Sequence, residues 1–306
     1  MTAKAPLPAT VKPMLAKLRK DPFTSDEHVF EIKWDGMRTL AFVDDGGYRI
    51  HNRRLTSHGA RYPELEFLAA LPTGTVVDGE LVVLEDGKPN FSRMMGREHA
   101  RDPLKIRALA ATTPCTYVVF DLLYRNYEPL LKQPLIERRA RLQELIEPHQ
   151  SGFLMLSDGI VGDGTTFYEH ACAQELEGIV AKKLNSRYRP GHRGDSWQKI
   201  KRCQELQCVI IGYQVGEGEV RSLVIAAPDD DGQLRCVGKV GSGLDGEIRA
   251  QLTPALADLH RDEPLVPNAH DAQWIDPGLY CIVHFLEHTT GGDLRAPVFK
   301  ELIIDS

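Results

Sequence analysis

Short apolar runs rich in valine, leucine and aromatic residues, each closed by a glycine- or aspartate-bearing turn, recur along most of this 306-residue chain and commit it to sheets. Residues 29–32 and 40–43 form two such runs on either side of Lys33-Trp34-Asp35-Gly36. Asp44-Asp45-Gly46-Gly47 then gives a turn before a third run at 48–51. The run 76–84 is interrupted by Gly79, which marks a bulge or the close approach of another backbone. Residues 116–123 make a further strand, whereas Leu135, Leu142, Leu145 and Ile146 recur at helical spacing after Pro134.

Further short strands are expected around 177–183 and 197–201, with Gly191-His192-Arg193-Gly194-Asp195 as a mobile connection between them. A boundary falls after Lys201-Arg202-Cys203. Strand candidates at 207–213, 220–226, 234–240 and 280–285, with a helix at 244–259, fit a small five-stranded barrel better than an extension of the first domain. The expected fold class is α+β, with domains at 1–203 and 204–306. Residues 1–28, which include Pro13-Met14-Leu15-Ala16, read as a short lead-in arm.

The composition, 42% hydrophobic and 26% charged, is that of a folded globular protein. No segment has the uninterrupted apolar length of a membrane span, and the start around Lys4 lacks the apolar core of a signal peptide. A cytoplasmic, monomeric protein with no membrane partner is expected. The six cysteines are scattered without a Cys-x-x-Cys pair, which argues for buried thiols and against structural zinc or a disulfide framework. The net charge of -6 is awkward for a nucleic-acid enzyme, but distribution matters more than the sum. Between Lys182 and Arg202 eight lysines and arginines face one acid, Asp195, and Arg49, Arg53, Arg54 and Arg61 lie in a stretch without carboxylates.

Lys33 stands at the end of a strand, where a sheet can aim its amine. A free lysine has a pKa near 10.4, so presenting the neutral amine at pH 7.5 costs roughly 4 kcal/mol. Desolvation and neighbouring cations lower that cost, whereas Asp35 opposes it unless a metal offsets the acid. The Gly-Lys-Ser/Thr context of a phosphate-loop lysine is missing. Acids and lysines recur beside other strand-like runs, in Asp78-Gly79-Glu80, Glu177-Gly178-Ile179-Val180-Ala181-Lys182 and Trp197-Gln198-Lys199-Ile200-Lys201. A strand through the last of these puts Lys199 and Lys201 on one face. Glu177 offers an oxygen ligand suited to Mg2+ or Mn2+, with phosphate and water completing the shell. Read alone, Arg53 is a surface cation and Phe120 a core residue.

The order and spacing of these segments resemble the ATP-dependent DNA ligases, a branch of the covalent nucleotidyltransferases. Arg61-Tyr62-Pro63-Glu64-Leu65, Val237-Gly238-Lys239-Val240-Gly241 and Leu294-Arg295-Ala296-Pro297-Val298-Phe299-Lys300 resemble the compact bacterial ligases of end joining. The resemblance implies an ATP-grasp-like nucleotidyltransferase domain followed by an OB-fold barrel. It makes Lys33, in Lys-x-Asp-Gly-x-Arg, the nucleophile that attacks the α-phosphorus of ATP, forms lysine-AMP and releases pyrophosphate. AMP then passes to a DNA 5'-phosphate, and a 3'-hydroxyl displaces it to seal the strand. By the same resemblance Arg38 and Arg53 contact the nucleotide or phosphate, Glu80 the ribose and Phe120 the adenine face. The Glu31 and Ile32 backbone reads the adenine edge, Glu177 holds the metal, and Lys182, Lys199 and Lys201 approach the phosphates.

One departure stands at the end of the chain. Relatives follow Pro-x-Phe-Lys with Arg-x-Asp-Lys, whereas Ile303 and Ser306 occupy the arginine and lysine positions here. Slow self-adenylylation with less-affected sealing of pre-adenylylated DNA is the expectation. Without a large amino-terminal clasping domain, contact with nicked or broken double-stranded DNA falls to the two core domains and a Ku-like end-binding partner. RNA ligation, GTP-dependent capping and noncatalytic nucleic-acid binding are the competing functions; an NAD-dependent ligase is opposed by the missing four-cysteine zinc site.

Overall fold

The run Thr39-Leu40-Ala41-Phe42-Val43 is apolar without alternation because both of its faces are covered. Leu40, Ala41, Phe42 and Val43 are all fully buried. Leu40 and Phe42 enter one core with Met14, Val76, Phe120, Leu123, Tyr188 and Trp197, while Ala41 and Val43 enter another with Leu65, Leu81, Tyr117, Val119 and Leu142. Burying each such side chain contributes roughly 1.5–3 kcal/mol, so this strand is a principal anchor of its domain.

The computed structural model describes residues 5–216, 218–229, 231–285, 288–289 and 291–303. The chain divides into two units, 1–202 and 203–306. In the first unit, one five-stranded sheet runs in the order Leu15–Leu18, Arg193–Lys201, Gly178–Lys183, Ser25–Ile32, Gly159–Gly162. A second sheet has the order Leu154–Leu156, Thr116–Arg125, Thr75–Val82, Met37–Asp44, Gly47–Asn52, with Glu128–Pro129 beside Thr116–Arg125. Ser25–Ile32 belongs to the first sheet and Met37–Asp44 to the second, so residues 33–36 carry the chain from one to the other. A Cβ on Gly36 would lie 2.1 Å from the Leu81 carbonyl oxygen, which is why this passage ends on glycine.

Strand alternation sorts the first sheet's side chains. Phe30, Ile179, Ala181 and Ile200 pack against the helix Gly164–Ala173 through Phe167, Tyr168 and Ala171. Glu31, Val180, Lys182, Trp197 and Lys199 therefore face the opposite way. The helix Leu135–Ile146 covers the second sheet with Leu135, Leu142, Leu145 and Ile146, the stripe the sequence spacing predicts.

Two sequence expectations need correction. Arg193, Gly194 and Asp195 are strand, not a mobile connection: Leu15 pairs with Arg193 and Ala16 with Gly194 in parallel. The lead-in supplies that edge strand and buries Met14 completely, so it is part of the sheet and not an arm. Turn-type residues misled in both places because pairing came from a segment far away in sequence.

The helices Phe91–His99, Pro103–Thr112 and Gly164–Ala173 were not expected. Each starts at a side-chain cap: Asn90 accepts from the Arg93 amide, Asp102 from Lys105 and Asp163 from Thr166. Among the described residues no helix is long and apolar enough to cross a membrane.

The second unit is a seven-stranded sheet. Leu234–Val240, Glu219–Pro228, Gln204–Gly216, Gln273–Ile275 and His260–Arg261 follow one another, with Tyr280–Phe285 also on Gln204–Gly216 and Val298–Ile303 on Tyr280–Phe285. The long strand has three partners: it pairs with Tyr280–Phe285 over residues 204–209, with Gln273–Ile275 at Gly212 and Tyr213, and with Glu219–Pro228 through a register shift between Ile210 and Gly212. Among the described residues the pairings do not close a barrel, and the strand count exceeds the five expected. The helix Gly246–Ala257 closes one core with Leu252 and Leu256. Cys208 and Cys281 are buried there and Cys115 in the first unit, where burial pushes each thiol up to about 12, whereas Cys203 is exposed.

Candidate active site

Lys33 follows the last residue of the Ser25–Ile32 strand, and its amide donates to the Gly178 carbonyl at 2.9 Å. That bond fixes the start of the passage between sheets and points the side chain into a cavity of about 190 Å³ in the first unit. Glu31, Ile32, Lys33, Arg38, Arg53, Glu80, Phe120, Lys182 and Lys199, all singled out in the sequence, line it with Trp34, Val180 and Trp197. Glu177 and Lys201 join them through ion pairs. The Lys33 amine meets one oxygen of Glu177, and the Lys201 amine lies 2.9 Å from the other. Gly178, with φ +128° and no room for a Cβ beside the Ile200 carbonyl, makes the turn that sets Glu177 there.

Arg38 grips Asp78 through two parallel bonds of 2.6 and 2.7 Å, and Tyr188 donates to the same carboxylate at 2.6 Å. Its guanidinium carbon lies 4.6 Å from the centre of the Phe120 ring. Much of the fork expected to hold phosphate is thus bound to the domain's own acid. A register shift between Asp78 and Gly79 lets Gly79 sit against the Val118 carbonyl, where a Cβ would approach to 2.5 Å, and turns Glu80 into the cavity. Burial pushes the Glu80 carboxyl up to about 8, with Asp78 and Glu177 adding to the rise against Arg38 and Lys33.

Phe120 meets Trp197 edge to face at 6.2 Å between centroids, and the Lys182 amine lies 4.1 Å from the Phe120 ring centre and 4.6 Å from that of Trp197. Burial lowers the Lys182 pKa; the Lys199 amine is also lowered, first by burial and then by Lys33, Lys201 and Arg193. Lys182 pairs with the buried Glu31 carboxylate at 2.7 Å, and Arg139 holds the other oxygen of Glu31. Arg139, Ser157, Asp78, Tyr188 and Trp197 were missed as site residues. Asp78 and Trp197 lay inside segments already singled out, whereas Arg139 and Ser157 carried no local signal. Of the basic stretches, Arg49 is spent on the Pro8 carbonyl and Arg61 on Glu98.

The arrangement gathers Lys33, further cations and two aromatic rings around one cavity. A family model described as ATP dependent DNA ligase domain matches residues 13–201, and one described as ATP dependent DNA ligase C terminal region matches 216–306.

The chain belongs to the ATP-dependent DNA ligases.

It is 35% identical over 317 residues to the multifunctional non-homologous end joining protein LigD of Pseudomonas aeruginosa, covering 98% of this ligase and 36% of that protein. It is 31% identical to the SPbeta prophage-derived DNA ligase-like protein LigB of Bacillus subtilis, covering 95% of one and 98% of the other. The ligase thus spans about a third of LigD. Among solved structures, the ligase domain of Mycobacterium tuberculosis LigD superposes with a TM-score of 0.59 at 32% identity, covering 96% of this ligase and 95% of that chain.

Proposed function

We propose that the first-unit cavity carries the adenylyl transfer of this ligase, with Lys33 as the residue that receives AMP. The observation that carries the reading is the placement of Lys33 beside Lys201, Glu177, Glu80 and Phe120 at the passage between the two sheets. In the resting geometry Glu177 holds the Lys33 amine in an ion pair, so the attack requires that contact to loosen. Lys199 and Lys201 then stabilise charge developing at the α-phosphate and on pyrophosphate. Glu80 accepts from the ribose hydroxyls, Phe120 stacks on adenine, Glu31 and Ile32 read its edge, and Arg53, Lys182 and Arg38 border the phosphates and base.

A divalent cation fits this site. Among the described residues no cluster of three or more acidic, histidine or cysteine ligands exists. Glu177, beside Lys33 and Lys201, is the carboxylate that would hold Mg2+ or Mn2+, with phosphate and water as the remaining ligands. When bound, the ion would neutralise phosphate charge.

We read the second unit as an OB-type module that helps hold nicked or broken DNA. End joining is a further part of the proposal, supported by similarity to LigD, and with it we propose a Ku-like partner, action as a monomer and residence in the bacterial cytoplasm at the nucleoid. The test is to give the protein α-labelled ATP or GTP with Mg2+ or Mn2+, then chase with nicked DNA. Label on Lys33 from ATP, followed by sealing, is expected; label from GTP alone points to capping chemistry, and no covalent product opposes the proposal.

A further inference from the structure

Three donors converge on the Glu31 carboxylate, which is 1% exposed. Arg139, from the helix Leu135–Ile146, donates to one oxygen; the Ser157 hydroxyl at 3.2 Å and the Lys182 amine at 2.7 Å share the other. Arg139 also donates to the Ser157 carbonyl at 3.3 Å, and the Trp34 indole donates to the Ser157 hydroxyl at 3.2 Å. Glu31 nevertheless forms part of the cavity wall near Phe120 and Trp197. Its carboxylate is thereby fixed on both oxygens, and its cross-strand pairing with Val180 turns its side chain to the sheet face that Val180 and Lys182 also present to the cavity.

We infer that Arg139 and Ser157 are positioning residues that lock Glu31 as a rigid hydrogen-bond acceptor, and that this lock makes the cavity select a 6-aminopurine nucleotide over a 6-oxopurine one. The inference rests on the nucleotide reading of the cavity. An ionised carboxylate only accepts hydrogen bonds and offers about four lone-pair directions, of which the three donors use three. The remaining one accepts from an exocyclic amino group. A 6-oxo group sets acceptor against acceptor in a water-poor wall, where an unmade bond costs most. A glutamate left free at its χ angles could turn aside and tolerate either base, so discrimination depends on the residues that hold it. Lys182 alone does not suffice, because it contacts one oxygen and leaves the carboxylate plane free to rotate about that contact.

ATP and ITP differ at the purine six-position and its adjoining ring nitrogen, which makes them the pair to compare. Equilibrium binding of each is measured for the wild-type protein, Arg139→Ala, Arg139→Lys and Ser157→Ala, alongside label transfer to Lys33 and thermal melting. The wild type is expected to prefer ATP by on the order of a hundredfold, and Arg139→Ala and Ser157→Ala to lower that ratio by about tenfold. Arg139→Lys restores part of it. An unchanged ratio in variants that melt like the wild type overturns the inference, as does a wild type that binds both nucleotides equally. If Arg139→Ala does not fold, Ser157→Ala and Arg139→Lys decide the question. If the wild type discriminates but places no AMP on Lys33, the lock stands and the adenylyl-transfer reading fails.

Discussion

The amines of Lys33 and Lys201 meet opposite oxygens of one carboxylate, that of Glu177. A carboxylate in that position holds two cations together and restrains the Lys33 amine, so its removal has two opposed consequences. If it only restrains Lys33, Glu177→Gln speeds formation of lysine-AMP. If it also carries the metal and orders the phosphates, the same change slows that step by about a hundredfold and raises the Mg2+ concentration needed for half-maximal rate. We expect slowing. Rapid-quench measurement of label transfer across a Mg2+ series checks it.

Arg138 and Asp121 form a pair with both side chains fully buried, joined by bonds of 2.7 and 2.8 Å. Arg138 also donates to the Gln133 and Ser186 carbonyls. Removing one partner leaves a buried charge without compensation, which costs about 3–5 kcal/mol. Arg138→Leu is expected to destabilise the first unit by that order, read as a lower urea midpoint, while Arg125→Ala, whose pair with Glu144 is largely solvated, changes little. Equal effects of the two would show that the buried pair has no special weight.

Much of this was legible because the informative signals were local. The lysine run, the broken strand around Gly79 and the periodic stripe of Leu135–Ile146 each declare themselves within a few residues. Arg139 and Ser157 reach Glu31 across sequence separations of 108 and 126 residues, which no short window contains. The edge strand Leu15–Leu18 was hidden for the same reason, since its partner Arg193–Lys201 lies far along the chain. The three unexpected helices did carry local signals at Asn90, Asp102 and Asp163, but each buries at most two residues, so no long apolar stripe follows the cap.

Gly36 ends the passage that aims Lys33. A Cβ there would meet the Leu81 carbonyl oxygen at 2.1 Å and the Val82 side chain at 2.9 Å, contacts that require backbone movement. Gly36→Ala is expected to cost about 1–3 kcal/mol and to slow lysine-AMP formation more than it weakens ATP binding, because the nucleophile moves while most of the cavity does not. Gly46→Ala, at an open turn where a Cβ would lie 3.5 Å from the Asp44 carboxylate, is the control. Matching losses in the two variants would count against a special role for the passage.

Glu80 links the site to pH. Its carboxyl is pushed up to about 8 from an ordinary value of 4.5, so between those values the folded protein binds a proton that the unfolded chain releases. Stability from this group therefore falls as pH rises through that window and levels off above it. Glu80→Gln removes the dependence, and the variant gains on the wild type in urea midpoint on going from about pH 5.5 to about pH 8.5. Nucleotide binding moves the other way. With Glu80 facing the ribose as proposed, its ionised carboxylate would accept from both hydroxyls, so wild-type affinity for ATP is expected to rise as pH passes through about 8, relative to Glu80→Gln measured in parallel. Calorimetric titration at fixed ionic strength reads binding alone, apart from the rate of adenylyl transfer. Parallel affinity curves for the two proteins would remove Glu80 from the ribose site.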